Sequence, residues 1–513
     1  MKPRATTLAS PTAAARTPAP RSRPRRPAVR RLARYVGVFA LGFALAARAA
    51  AAPLTLDDAI RQGLQKNQSL KVSALSPEIA RANLLAESGK FDPALTFRRT
   101  HAETESPLAR RPLVTALTKE DDYALALGGL APWGLSYSLG ATATNQRGTS
   151  NRFTDSFVTF GGVSVTQPLL RGFGLGPTLA GLRIAKADRT ISDWQHKQNV
   201  INVVTGVILA YANVVQAREN LRIARLSRDL TAQLVAQNET RNRIGQISDA
   251  DVLQARARLA SRDESVLFAL RFSEDAQNQL RQLIGETTFT NTGPDLALAD
   301  PPAPAAPPVN LADDLKNAYA QRPDYQAARL GVTKRQHTRT LAQNQLLPRV
   351  DFVGSYGYAG QDRDFAMARA QVRDADVRAY SAGVVVSVPL TFAEGRGRAR
   401  AAQLGLRQSE ADLVRLEQDI AVDVAAAAGQ VETTRLRVAA TKNALDLAQQ
   451  ALEAEQKKFI AGTSSTFLVL QAQGELAAAQ SSSARALADQ RRAHANYDRE
   501  LGRTLATHGL TVE

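Results

Sequence analysis

Two tracts of this chain, from about Gly172 to Arg243 and from about Gly395 to Ile460, contain no proline after Pro177. Their apolar side chains recur every three or four positions, as at Val200, Val204, Val207, Tyr211 and Val214. A helix of about 70 residues reaches roughly 100 Å at 1.5 Å per residue. That is too long for a helix inside a globular core, so the pattern predicts a coiled-coil assembly. Each tract is followed by a glycine, a serine-rich turn and a second helical tract: "NRIGQISDADVLQARARLA" from Asn242 and "FIAGTSSTFLVLQAQGELA" from Phe459. The first return tract keeps a seam of Val252, Ala255, Leu259, Val266, Ala269, Ser273, Ala276, Leu280 and Leu283, interrupted by Arg262. Two antiparallel helical pairs follow.

The two corners lie 217 positions apart, Gly245 against Gly462, and the repetition extends further. "LTLDDAIRQGLQKNQSL" from Leu54 answers "VNLADDLKNAYAQRPDY" from Val309, and Pro93 answers Pro348, both at 255. Pro168 answers Pro389 at 221. The chain is one unit duplicated: repeat 1 over 53–290, a Pro/Ala linker over 291–309 ("ADPPAPAAPPVN" at its core) and repeat 2 over 310–513. The fall from 255 to 221 puts 34 more residues between Pro93 and Pro168 than in the second copy.

A second texture separates the helical tracts. "GLSYSLGATAT" (from Gly134) and "YSAGVVVSVPL" (from Tyr380) alternate with period two, and Phe157 to Gln167 and Phe352 to Tyr358 do so more weakly. Such segments have the length and alternation of outer-membrane strands. Strands are expected over about 94–168 and 349–390, before helical hairpins over about 172–285 and 395–505. Two strands per copy give four, and the 34-residue excess has room for a hairpin, giving up to six. A membrane barrel needs about eight, and an open edge cannot face lipid, so several chains must share one barrel. Trp133 and Tyr137 are candidates for its interfacial aromatics, or for buried packing.

Composition narrows the function class. The 513 residues are 44% hydrophobic and 22% charged, an ordinary folded composition. Of the net charge of +17, eleven units come from the acid-free first 52 residues; the remaining +6 is spread thinly, without the basic and aromatic clustering of a nucleic-acid binder. Residues 1–52 read as a secretory signal with a long basic n-region, cleaved after Ala49 or Ala52, with an uncleaved anchor as the alternative. The chain has no cysteine, hence no disulfide, thiolate metal site or acylated lipoprotein cysteine. Its five histidines have no metal-ligand spacing, and "GRGRAR" and "GFGLG" lack the context of phosphate loops. No catalytic residue, metal or cofactor is expected.

The ordered set of "GKFDPAL", "VTQPLLRGFG", the duplicated strand-then-helix unit and the two Gly-turn-VLQA corners resembles the TolC-like outer-membrane efflux protein family, over about Leu54 to Leu505. The resemblance implies a mainly α fold with β. Three copies share one outer-membrane β-barrel, twelve-stranded in the best known members, continued by an α-barrel across the periplasm. It implies a homotrimer in outer-membrane lipid that meets a periplasmic adaptor and, through it, an inner-membrane pump or secretion transporter, and that conducts cargo passively.

The corners are then the periplasmic entrance and the docking tips. Gly245 and Gly462 supply the left-handed residue that ends each outgoing helix. Ser248 caps the next helix with Asp251 at its third position, beside Asp249; in the second copy Ser464 or Ser465 caps, and no acid follows. By position, Asp251 matches an aspartate that locks the entrance through a tyrosine and an arginine. Those partners here are Phe459 and Ser464, which cannot reproduce the lock. Two constriction aspartates fall on Leu468 and Gln471, so a ring of three Leu468 side chains is the expected substitute. The alternative function is a periplasmic coiled-coil adaptor or scaffold without a barrel. Fractionation separates the two: heat-modifiable trimers extracted from the outer membrane support the duct, whereas a soluble or inner-membrane protein supports the adaptor.

Overall fold

The computed structural model describes residues 53–108, 114–286, 296–299 and 310–511. The signal and most of the linker expected from the sequence lie outside them. In chain order the elements are α1 (Leu56–Lys66), α2 (Gln68–Ser88), β1 (Ala94–Leu108), β2 (Val114–Leu130), β3 (Ser136–Gly148), β4 (Phe157–Pro168), α3 (Leu175–Thr178), α4 (Ala180–Arg243) and α5 (Asp249–Leu283). The second half repeats the theme with α6 (Leu311–Gln321), α7 (Pro323–Asn344), β5 (Arg349–Asp362), α8 (Phe365–Arg373), β6 (Val377–Ser387), α9 (Ala393–Ile460), α10 (Thr466–Glu500) and α11 (Thr504–Thr507).

All six strands form one antiparallel sheet in sequence order. Pro93 and Pro348 precede β1 and β5, while Pro168 and Pro389 end or follow β4 and β6. The 34-residue excess is therefore the hairpin β2–β3. The register lines up one residue per strand in a single row: Leu95, Leu127, Leu139, Val163, Tyr356 and Tyr380. On the opposite face the neighbouring row is Ala94, Gly128, Ser138, Ser164, Ser355 and Ser381. One face carries the exposed apolar row; the other is mostly small and polar over β1–β3 and mixed over β4–β6, where Val158, Phe160, Val353 and Val385 share it with the serines. Toward the strand ends farther from the long helices the apolar face turns charged, with Asp121 paired to Arg147 at 2.7 Å and Lys119 to Glu103 at 2.7 Å. Trp133 is exposed in the short turn between β2 and β3, at the helical end of the sheet, and Tyr137 lies on the apolar face near it.

The outgoing helices α4 and α9 have 64 and 68 residues, but the returning α5 and α10 have only 35 each. The missing length is made up end to end by the short helices. The amide of Asn67, at the α1–α2 junction, donates to the Leu283 carbonyl at 2.9 Å. Arg322, at the α6–α7 junction, donates to the Glu500 carboxylate at 2.8 Å and to its carbonyl at 3.4 Å. Asn67 and Arg322 are repeat partners, so the same joint is built twice with different side chains. Part of α4 is apolar enough to cross a membrane, yet two thirds of that stretch is buried in the chain's own core, where Val204, Val207, Tyr211 and Val214 meet α1 and the end of α5.

Across the lower layer the packing order is α5–α4–α10–α9, and across the upper layer α2–α4–α7–α9. The two sides of the molecule are therefore β1, α2 and α5 on one hand and β6 and α9 on the other.

Gly285 closes the first joint at φ +74°, and a Cβ there would sit 2.6 Å from the Lys66 side chain and 2.7 Å from its carbonyl oxygen. Gly245 has φ +76° and open space around it. Gly245→Ala should cost about 1–2 kcal/mol from the left-handed backbone alone. Gly285→Ala should cost roughly 1–3 kcal/mol more through overpacking, read as a lower urea midpoint. Equal midpoints for the two variants would refute the end-to-end joint.

Candidate functional site at the hairpin tips

Both corners are built by the same backbone device. At the first, the Gly245 N–H donates to the Asn242 carbonyl at 2.9 Å and the Gln246 N–H to that of Arg241 at 2.9 Å. At the second, Gly462 donates to Phe459 at 3.2 Å and Thr463 to Lys458 at 2.9 Å. This crossed pair satisfies the last carbonyls of a helix and needs a left-handed residue, which both glycines supply at φ +76° and +78°.

The helix starts differ. Ser248 and Asp251 form a reciprocal box: the Asp251 N–H donates to Ser248 Oγ at 3.2 Å, and the Ser248 hydroxyl donates to the Asp251 carboxylate at 2.7 Å. Asp249 accepts from the Asn242 amide at 2.9 Å. Both acids are therefore engaged in their own corner. In the second copy Ser465 is the cap, accepting from the Leu468 N–H at a long 3.5 Å. Ser464, the other cap candidate, instead donates its hydroxyl to Glu455. That bond, helped by Lys458, holds the Glu455 carboxyl below its ordinary range.

Three contacts tie the tips to each other within one chain. Leu234, Phe459, Val469 and Leu470 form a small buried cluster. Asn238 is fully buried and donates to Thr466 Oγ1 at 3.2 Å. The Arg241 guanidinium lies 4.5 Å from the centre of the Phe459 ring and reaches the Phe459 carbonyl at 3.4 Å. Phe459, which lacks the hydroxyl of the expected lock, is thus held through its π face. Asp251 is turned to Ser248, away from the partners expected for it. Leu468 and Phe467 are exposed on the first turn of α10, and the Gln471 amide donates to Glu475 at 3.0 Å. Beside them, a groove of about 380 Å³ between α5 and α10 is lined by Arg258, Ser261, Phe467, Leu470 and Gln471. Arg262, the interruption in the seam, sits nearby with its Nε buried; burial first, then Arg258, pulls its pKa below the usual arginine range.

Sequence reasoning missed Asn238, Arg241, Glu455 and Thr466. Asn238 had a readable signal: it falls four positions after Leu234 on the seam, where a polar residue fixes register. Arg241 and Glu455 had none, because the partners of one lie in the other repeat and the second bond depends on which serine caps.

The sheet has one exposed apolar face and is carried on helical hairpins whose outgoing helices run to 64 and 68 residues, the architecture of an outer-membrane protein with a long helical extension. The profile for outer membrane efflux proteins matches residues 59–286 and 315–503, and the chain belongs to that family. It is 24% identical over 337 residues to the outer membrane efflux protein BepC of Brucella suis, and 23% identical over 284 residues to the outer membrane protein TolC of Vibrio cholerae. These matches cover 62% and 55% of this chain and 66% and 63% of those relatives, so it spans somewhat under two thirds of each. Among solved structures, the Campylobacter jejuni CmeC outer membrane channel superposes with a TM-score of 0.66 at 14% identity, covering 88% of this chain and 86% of that one. The outer-membrane channel OprN gives 0.65 at 19% identity, covering 87% and 89%. Membership places the chain in the outer membrane.

Removing the stronger cap should loosen one corner alone. Ser248→Ala should cost about 1 kcal/mol locally and speed hydrogen exchange of the Asp251 amide about fivefold. Ser464→Ala should leave exchange at Leu468 unchanged, since Ser465 caps there; faster exchange at Leu468 would contradict that assignment.

Proposed function

We propose that this chain is the exit duct of a tripartite efflux or type I secretion system. Three copies stand side by side as a homotrimer, share one barrel in the outer membrane and continue it as a helical tube. The observation that carries this reading is that sheet and helices end in the same two sides. α2 and α5 bear exposed Leu75, Ile79, Leu267 and Phe268 on the side of the open β1 edge, and α9 bears exposed Val422, Leu436 and Leu447 on the side of the open β6 edge. Apolar surface on this scale, unpaired on two different sides, fits a head-to-tail ring. Cargo passes down the wet lumen, driven by an inner-membrane pump or transporter that reaches the tips through a periplasmic adaptor.

The entrance is held shut within each chain by the clasp of Arg241 on Phe459 and Asn238 on Thr466. Leu468 and Gln471 on the α10 tip face the constriction. Opening separates the α9–α10 tip from the α4–α5 tip, and adaptor docking on the Gly245 and Gly462 corners supplies the energy. In planar bilayers the parent should show a small resting conductance, and Arg241→Ala or Phe459→Ala should raise it several-fold, with Arg241→Lys intermediate. Unchanged conductance in both alanine variants would reject the clasp. Leu468→Asp should make the conductance sensitive to divalent cations while the parent stays insensitive; equal sensitivity would remove Leu468 from the constriction.

A further inference from the structure

We propose that the shared barrel has eighteen strands, six from each of three copies, closed by β6 of one copy pairing with β1 of the next. The inference rests on the trimeric duct reading and sets its bore in the membrane. Family resemblance leads one to expect twelve strands, four per chain, and the difference is the hairpin β2–β3.

Three observations put that hairpin inside the barrel wall. It lies in the interior of the sheet, hydrogen-bonded to β1 over Val114–Gly128 on one side and to β4 over Ser136–Asn145 on the other, so it cannot be shed without breaking two ladders. Its outward positions Leu125, Leu127 and Leu139 continue the apolar row of the other strands, and its inward positions Gly128, Ser138 and Thr142 are small or polar. Its turn reaches the helical end of the sheet, where the Gly174 N–H donates to the Trp133 carbonyl at 3.0 Å, so the hairpin crosses the same height as its neighbours.

The occupant of the two open edges is a second copy of this chain. β1 and β6 are the outermost strands, and their outward residues are the most exposed of the apolar row, Leu95 at 71% and Tyr380 at 79%. Backbone groups on such edges have no water to bond in lipid. β1 and β6 run in opposite directions, so the closing pair is antiparallel like the five pairs already made. Barrel diameter grows roughly linearly with strand number. Eighteen strands make the bore about half as wide again as twelve, and the small inward side chains of the hairpin leave that width open.

The absence of cysteine from the chain makes the test direct. Ser381→Cys on β6 is combined in turn with Thr96→Cys, Arg98→Cys or Thr100→Cys on β1, and separately with Ser138→Cys or Thr142→Cys on β3, all lumen-facing. Membranes are oxidised with copper phenanthroline, and trimers are scored before and after boiling. The expected result is a covalent ladder up to the trimer with at least one β1 partner and with no β3 partner. Cross-linking to β3, or to neither strand while heat-sensitive trimers form, would overturn the eighteen-strand barrel but leave the trimer standing. Absence of trimers in every variant would overturn the underlying reading as well. As a second readout, deletion of 115–148 should preserve trimers and reduce by about one third the radius of the largest polyethylene glycol that enters from the barrel side. An unchanged cut-off would also overturn it.

Discussion

Backbone hydrogen bonds that water cannot satisfy govern this structure. The sheet buries its own N–H and C=O groups everywhere except along β1 and β6. Those two edges cannot meet lipid unpaired. The rest of the molecule follows the same geometry: α2 and α5 continue the β1 side and α9 continues the β6 side, each with an apolar stripe left uncovered. In the proposed trimer, a single constraint at the membrane thus sets the seam along the full length of the chain.

The joints between short and long helices extend each returning helix end to end. A returning helix of 35 residues cannot match an outgoing one of 64 or 68, so the α1–α2 and α6–α7 pairs abut its end. Glycine is required there twice over, for the left-handed backbone and because Lys66 or Arg322 fills the space a side chain would take. The two joints use an amide in one repeat and a buried ion pair, Arg322 with Glu500 at 2.8 Å, in the other. Arg322 also pairs with Asp324 at 2.8 Å and Glu500 with Arg499 at 2.7 Å, so removing either partner leaves the other charge paired and avoids the full cost of a stranded charge.

Much of this architecture was legible in the residues. The corner glycines, the Ser248–Asp251 box and the alternation in β3 and β6 are local signals, decided within a few residues, and the six-strand limit followed from a 34-residue difference between copies. Of the contacts between the two tips, only the buried Asn238 was legible; the grip of Arg241 on Phe459 was not. Phe459 suggested only a missing hydroxyl, since nothing near it in sequence announces a guanidinium 218 positions away. Ser464 and Ser465 were equivalent as caps until Glu455 claimed one of them. Long-range pairs in a duplicated chain leave no periodic trace, because only one repeat carries each partner.

The central claim is the continuous seam, and a photoreactive amino acid placed at Phe268, on the exposed face of α5, tests it in intact membranes. Irradiation should join that residue to α9 of a second copy and produce a ladder that stops at three chains. Attachment to α5 of a second copy, or only within one chain, would contradict a head-to-tail assembly.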